Sequence, residues 1–435
     1  MNWKTNAGVA VPLALALLVE ARDAQACGGC FHPPTEVTQV TGHRMVWSIG
    51  KDQSTLYDQI EYSGSPESFA WVLPVKGQVD VGVSSDLLFN QLGFDSQVTI
   101  QAPIQTCPAI VCDGPSAVGA WGDGVTGATS GGGVDVIAQE VVGPYETVQL
   151  ASSDPGALAG WLEGHGYELT ADVEPLIGNY VKEGFNFLAV KLVPGQGVQA
   201  MQPIRVTTKG AAVSLPLRMV AAGTGAVTTM TLFVVGEGRW ATANFPGFTL
   251  SPDDVVWDYA QDRSNYTQLR TDAYAKSKGM GWLTEAASPY SSTNLRVTLS
   301  SVLTYNGVEA SGYAGTPAEA AEALDADLDT LFSGMDAGSI WLTRLRAELP
   351  REALGTDLVL EAASTQDEVS RLLQTTKFIG PQPACPAPPP GCEVEDEAQG
   401  GGCALVASSR ASELLFAGGL AVMGVLARRR RGRRG

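Results

Sequence analysis

Short runs that alternate apolar and polar residues, or are rich in β-branched residues, recur between positions 27 and 380 and constrain the fold most. Glycine, proline and Asn-Gly turns separate these runs, as in "YSGSPES" and "TYNGVE". We therefore expect mainly β-structure. The predicted strands are Glu36–Ser48, Thr55–Tyr62, Phe69–Val75, Val98–Gln101, Val134–Leu150, Phe185–Val193, Ile204–Thr208, Ala212–Val220, Val227–Val235 and Leu295–Tyr305.

Helical patterns are fewer. Asp154 followed by Pro155 predicts a helix over Pro155–Glu163, and Thr316 followed by Pro317 predicts a second helix to about Phe332. A third is predicted over Gln366–Thr376. Few strand–helix–strand units occur, so the sequence favours an α+β fold, predominantly antiparallel β with a few short helices, in one large or two medium domains.

The N-terminus has the order of a secretory signal peptide. Lys4 precedes an apolar run, Ala7–Val19, and the small-x-small pattern of Ala24 and Ala26 follows. The apolar run is too short to span a bilayer. We assign residues 1–26 to a signal peptide cleaved after Ala26, which leaves 27–380 as an exported β-rich globular region.

The C-terminal sequence has the pattern of a segment that inserts into a membrane. A spacer rich in proline, glycine and acidic residues occupies 381–403, and residues 404–435 hold an apolar stretch, Leu414–Ala427, followed by six arginines. As a helix the apolar stretch reaches only about 21 Å, less than the ~30 Å hydrocarbon core. An arginine cluster stays on the cytoplasmic side, so the segment predicts a membrane anchor or a sorting signal.

This tail resembles the C-terminal sorting signals of myxobacterial exported proteins, over about residues 402–435. The matching elements are Gly402-Cys403, the apolar stretch and the arginines from Arg428 onward. The resemblance implies that a membrane protease removes the tail. It also implies that Cys403 carries the protein to the cell surface, with export and sorting machinery as partners.

The negative net charge of the protein excludes one class of function. The net charge is −18, and without the signal peptide and the tail 19 basic and 43 acidic residues remain, a net charge of about −24. Such a surface repels phosphate backbones, so we expect no nucleic-acid partner. The expected location is the cell envelope, membrane-anchored or attached to the cell surface.

Several stretches of the exported region, taken together, carry a family resemblance. Among them are "ACGGCFHP", "TLYDQIEYSGSPESFAWVLPV", "YVKEGFNFLAVKL" and "SIWLTRLRAEL". They resemble a bacterial exported family catalogued as domain of unknown function 2330, over about residues 27–350. The resemblance implies an exported envelope domain. It transfers no activity, cofactor or catalytic residue.

Seven cysteines occur, and six of them fall into close-spaced pairs. In an exported chain this arrangement predicts structural disulfides, with the connectivity left open. The tail resemblance accounts for the seventh, Cys403. The disulfide candidates are Cys27, Cys30, Cys107, Cys112, Cys385 and Cys392.

Two other chemistries stay open for the Cys27–Cys30 motif. A redox dithiol needs a helix N-terminus, whereas this pair leads into a predicted strand. A metal site would recruit Cys27, Cys30, His32 and His43, which have the right ligand types but match no common zinc-finger spacing.

Catalytic motifs are absent from the sequence: neither G-x-S-x-G nor H-E-x-x-H occurs, and only three histidines could serve as bases. The acidic stretch "DADLDTLFSGMD" lacks the glycine and terminal glutamate of a calcium loop. We therefore predict a structural or binding module, tethered by its C-terminus, with no cofactor and an unknown ligand. The alternative is an extracytoplasmic enzyme or a metal-binding protein.

Overall fold

The two largest β-sheets in the described part of the protein have five and eight strands. The computed structural model describes residues 30–31, 39–63, 70–107, 110–112, 139–151, 154–164, 173–193, 201–221, 226–388 and 392–394. The strands are β1 Cys30–Phe31, β2 Gln39–Ile49, β3 Gln53–Ser63, β4 Ala70–Val75, β5 Val79–Val83, β6 Thr99–Gln101, β7 Ile110–Cys112, β8 Gln139–Val142, β9 Tyr145–Leu150, β10 Asn186–Leu192, β11 Ile204–Lys209, β12 Ser214–Leu215, β13 Val227–Glu237, β14 Trp240–Thr242, β15 Gly247–Phe248, β16 Val256–Asp258, β17 Arg263–Ser264, β18 Trp282–Pro289, β19 Ile340–Pro350, β20 Leu358–Ala362, β21 Leu372–Gln374, β22 Lys377–Ile379 and β23 Cys392–Val394. The helices are α1 Asp86–Ser96, α2 Pro155–Gly164, α3 Val173–Lys182, α4 Leu217–Val220, α5 Tyr266–Lys276, α6 Ser292–Asn306, α7 Val308–Ser311 and α8 Pro317–Leu331.

The chain divides into two compact units. The first comprises residues 1–105 and 119–384, and the second comprises residues 106–118 and 385–435. In the first unit, one sheet has the strand order β1-β4-β10-β9-β8 and the other has the order β15-β18-β19-β13-β2-β3-β11-β5. We call them the five-stranded and the eight-stranded sheet. Most strand pairs are antiparallel, although β13 runs parallel to β2 and β15 runs parallel to β18.

The two sheets share an apolar core between them. It combines Leu73 and Leu188 of the five-stranded sheet with Leu56, Val206 and Leu232 of the eight-stranded sheet. We call this side of the eight-stranded sheet its inner face. Residues of the central strands are buried on both faces, which explains the nearly continuous apolar runs of β10 and β13.

Helices cover the other face of each sheet. On the outer face of the eight-stranded sheet, Phe233 packs with Leu88 of α1, Leu299 of α6 and Leu328 of α8. On the five-stranded sheet, Phe187 packs with residues of α2 and α3 such as Leu162. The larger unit is thus layered helix–sheet–sheet–helix, because each central strand has apolar side chains on both faces to bury.

The second unit is much smaller in its described part. Cys107 and Cys385 form a disulfide with their Cα atoms 5.7 Å apart. Strands β7 and β23 pair antiparallel, and the Cα register places Cys112 opposite Cys392. The disulfide therefore joins one cysteine of the 107/112 pair to one cysteine of the 385/392 pair, which lies 278 positions further along the chain.

The predicted α+β class is confirmed, and most predicted strands occur within a few residues of their predicted bounds. The "GPYE" turn connects β8 and β9, which pair antiparallel. The prediction was wrong for Leu295–Tyr305, which lies within α6. Its leucines recur every four residues (Leu295, Leu299 and Leu303) and all face the outer core.

Two further predictions need correction. The helix predicted over Gln366–Thr376 does not form, because Val369 pairs by backbone hydrogen bonds with Ala287 and β21 pairs with β6. The strand predicted over Ala212–Val220 is reduced to β12, because Pro216 lacks the N–H that a longer strand needs and α4 follows it. In the described part of the chain, the helices are all too short or too polar to cross a membrane.

Candidate functional site

A cavity of about 360 Å³ lies between the two sheets, where β2 ends and β3 begins. We call it the inter-sheet cavity. Trp47, Leu56 and Val206 line it from the eight-stranded sheet, and Leu73 and Val75 line it from the five-stranded sheet. Its volume falls in the range of about 300–1,000 Å³ that is typical of small-molecule sites, and its walls are mainly apolar.

Hydrogen bonds hold one wall of the cavity in place. The wall is the segment 210–213 between β11 and β12. The Trp47 indole Nε1 donates to the carbonyl of Ala212 at 2.9 Å. The Ser54 hydroxyl donates to the carbonyl of Gly210 and accepts from the N–H of Ala212, each at 2.8 Å. The cavity is therefore shaped before any ligand enters.

A cation stands at the mouth of the cavity. Lys76 directly follows β4, is exposed, and has its ammonium 4.9 Å from the ring centroid of Phe185, another lining residue. Within the described residues Lys76 forms no salt bridge. Its charge is thus available to an anionic group lying at the mouth.

The one acidic lining residue, Asp357, is already engaged. Its carboxylate accepts from the Tyr180 hydroxyl at 2.6 Å and from the Arg218 guanidinium at 2.7 Å. Arg218 also binds Glu183 through both terminal nitrogens, and this contact lowers the pKa of Glu183. Arg218, Asp357 and Glu183 together carry a net charge of −1, and Lys76, which also helps to lower the pKa of Glu183, balances that charge at the mouth.

A buried histidine–aspartate pair lies further along the same hairpin. Nδ1 of His43 on β2 lies 3.2 Å from both carboxylate oxygens of Asp58 on β3, and both side chains are about 1% exposed. A carboxylate only accepts, so Nδ1 donates in this contact, and in the neutral imidazole Nε2 then has a lone pair. Nε2 is buried and has no hydrogen-bond partner in the part of the chain that the structure describes. Such a nitrogen can bind a cation or accept a hydrogen bond.

A family model described as "Uncharacterized protein conserved in bacteria (DUF2330)" matches residues 21–360. The chain belongs to this family. The match covers residues 21–105 and 119–360 of the larger unit, and so includes the inter-sheet cavity and the His43–Asp58 pair. Among curated proteins and among solved structures, none matches this DUF2330 protein.

The structure describes only some of the predicted site residues of this DUF2330 protein. His43 lies in the described part, whereas Cys27, His32, Ala26 and Cys403 lie outside the described residues. Cys30 belongs to β1, where its backbone is opposite Trp71 of β4. No group of three or more His, Cys, Asp and Glu side chains suited to a metal ion occurs among the described residues.

The acidic stretch near position 327 is the helix α8. Asp325 and Asp329 form salt bridges with Arg296, while Asp327 is fully buried. The Asp327 carboxylate accepts from Arg205 at 2.8 Å and from Tyr313 at 2.9 Å, and also from Ser84. This pair fixes α8 to β11 and is fully hydrogen-bonded, so we interpret it as structural.

Sequence reasoning missed the inter-sheet cavity. Its lining comes from strand ends and a loop that are far apart in the chain, and no local motif marks them. One signal was available: the lysine directly after the apolar run "FAWVLPV" places a charge at the end of a predicted strand.

Proposed function

We propose that this protein is an exported cell-envelope binding module, tethered by its C-terminus, that holds a small amphipathic anion in the inter-sheet cavity. The observation that carries the proposal is the preformed apolar cavity with Lys76, which forms no salt bridge among the described residues, at its mouth. An apolar body would replace water along Leu56, Leu73 and Val206, and an anionic head would lie beside Lys76. The signal-peptide pattern and the C-terminal tail support the location.

The binding test uses anilinonaphthalenesulfonate, which combines apolar rings with one sulfonate and fluoresces when it leaves water. The full chain in lipid nanodiscs should bind it saturably. Val206→Phe fills the cavity and should abolish this saturable binding. Val297→Phe, an equal change at an exposed position of α6, should leave it intact.

The charge test uses Lys76→Glu, which should weaken probe binding several-fold because it places an anion at the mouth. Lys276→Glu on α5 is the matched control at another exposed lysine. Unchanged binding in both Val206→Phe and Lys76→Glu, with native circular dichroism, would place the probe elsewhere and reject the cavity as the site.

The proposed route to the surface is tested separately. We expect Cys403→Ala to leave the protein in the inner membrane with its arginine tail intact, and Ser408→Ala to behave as wild type. Fractionation and mass spectrometry of the C-terminal peptide measure both. If the Cys403→Ala protein reaches the surface and wild type keeps Arg428–Arg434, the tail is a plain membrane anchor.

A second candidate function is metal binding, and the unpartnered Nε2 of His43 favours it. Asp58 would orient the imidazole as a carboxylate does behind a metal-bound histidine. Elemental analysis of the purified protein should then find stoichiometric zinc that is lost in both His43→Gln and Cys30→Ser. Zinc below a tenth of an equivalent in wild type would remove this candidate.

A further inference from the structure

Strand β19 presents a row of charged side chains on the outer face of the eight-stranded sheet. Arg344, Arg346 and Glu348 alternate with residues that are buried in the inner core, so they point to the opposite side. Helix α5 packs over this row. The hydroxyl of its Tyr274, which is itself buried, donates to the backbone carbonyl of Arg346 at 3.1 Å.

The charges in this row do not balance. Nε of Arg344 donates to the Glu285 carboxylate at 2.7 Å, and both side chains are largely buried. Nε of Arg270 on α5 lies 3.4 Å from the Glu348 carboxylate. Arg346 stands between these two pairs and forms no salt bridge or side-chain hydrogen bond within the described residues. Three arginines therefore face two glutamates.

Two buried N–H donors of the cluster have no partner. Nε of Arg346 makes no hydrogen bond among the described residues, nor does Nε of Arg270, whose contact with Glu348 is electrostatic but poorly directed. A buried donor left unpaired destabilises the protein, and more so when it belongs to a charged group. A surplus cation left in this state is unexpected in a chain of net charge −18, where acidic partners are plentiful.

A local distortion of the sheet produces the imbalance. The register of β18 against β19 shifts between Thr284 and Ala286, which leaves Glu285 as an extra, bulged residue. The bulge turns this carboxylate toward Arg344, while Leu283 lies opposite Arg346 and offers it no charge. Tyr266 at the start of α5 is near the same group. Burial, followed by Glu285, raises its pKa, so its hydroxyl stays protonated and can donate.

We propose that Arg346 and Arg270, with the Tyr266 hydroxyl, form a binding site for an oxyanion, namely a phosphate, a sulfate or a carboxylate group. A guanidinium supplies donors in a planar fork that suits such groups, and a partly buried setting strengthens each charge-assisted bond. The site lies on the opposite face of the sheet from the inter-sheet cavity. The test of this site is therefore independent of the test of the proposed function.

Isothermal titration calorimetry of the full chain tests this site, with phosphate, sulfate and acetate at equal ionic strength and chloride as the blank. At least one of these oxyanions should bind with one-to-one stoichiometry. Arg346→Gln should weaken that binding about tenfold or more, because it removes a charge-assisted bond. Arg371→Gln, at an exposed arginine outside the cluster, should not change it.

Two further variants separate binding from folding. Arg346→Lys keeps the charge but loses the fork, so we expect intermediate affinity; Tyr266→Phe should weaken binding several-fold. Circular dichroism shows whether each variant is folded. The proposal is overturned if wild type binds none of the three anions. It is also overturned if folded Arg346→Gln and Arg346→Lys both bind like wild type.

Discussion

The inner and outer faces of the eight-stranded sheet are built from the same strands, yet they differ in how polar groups are handled. On the inner face apolar side chains meet the five-stranded sheet and leave a cavity with one cation at its mouth. On the outer face charged side chains enter the layer between the sheet and its helices. Strand alternation permits this, because neighbouring residues face opposite sides.

The charged side chains on the outer face differ in whether their hydrogen bonds and charges are satisfied. The Asp327 carboxylate has a hydrogen bond for each of its oxygens, and Arg205 neutralises it. Arg346 has neither a counter-charge nor a bond to its buried Nε within the described residues. The comparison teaches that the satisfied charge of Asp327 serves the architecture, whereas the unsatisfied charge of Arg346 is where we propose that a ligand binds.

The largest expected effect comes from breaking the satisfied pair. Asp327→Ala should lower the free energy of unfolding by about 3–5 kcal/mol, because it leaves the Arg205 charge buried without a partner. Asp325→Ala, on the same helix but exposed, should lower it by at most about 1 kcal/mol. Urea denaturation measures both, and equal losses would contradict a special role for the buried pair.

Substitutions at two adjacent residues of β19 compare how much each face contributes to stability. Leu345→Ala on the inner face should destabilise the protein by about 2–5 kcal/mol, because it opens a hole in the core. Arg346→Ala on the outer face should change stability little in chloride buffer, since it removes an unpaired charge. A loss of more than about 2 kcal/mol in Arg346→Ala would mean that the arginine is a structural element.

The N-terminus of α8 tests how far the outer layer depends on local structure. The Thr316 hydroxyl accepts from the N–H of Glu319, and the Glu319 carboxylate accepts from the N–H of Thr316, which forms a capping box. Thr316→Ala should lower stability by about 0.5–2 kcal/mol. Thr304→Ala, in the interior of α6, is the control, and thermal melting measures both. If the loss equals that of Asp327→Ala, the cap and not the buried pair holds the helix.

Part of this architecture could be predicted from the sequence. Alternating runs predicted β2, β3, β10 and β13, and the Thr316-Pro317 signal predicted α8, because these patterns depend on neighbours along the chain. Segments with mixed periodicity failed. The α6 stretch was interpreted as a strand because it contains several β-branched residues, although its leucines repeat every four residues.

The candidate sites were less accessible to sequence reasoning. His43 was proposed as a metal ligand, but its partner Asp58 depends on the register of the β2–β3 hairpin. The isolation of Arg346 depends on a bulge in another strand, which no local pattern reveals. Contacts between residues that are distant in the chain decide both sites, and a single sequence does not specify them.

The smallest expected effect is a pH dependence of stability at the N-terminus of α8. Hydrogen bonds from the backbone N–H and the hydroxyl of Thr316 lower the pKa of Glu319. A lowered folded-state pKa contributes stability above the unfolded value, and this contribution is lost as the pH falls through the folded value. Glu319→Gln should therefore be less stable than wild type at neutral pH, and the difference should shrink as the pH falls below the unfolded value of about 4.3 and vanish below the lowered folded value. Glu368→Gln, at an exposed loop position, should show no such pH-dependent difference. Melting curves between neutral and acidic pH measure both, and a difference that persists at low pH would assign the effect to the lost packing of the side chain and not to its charge.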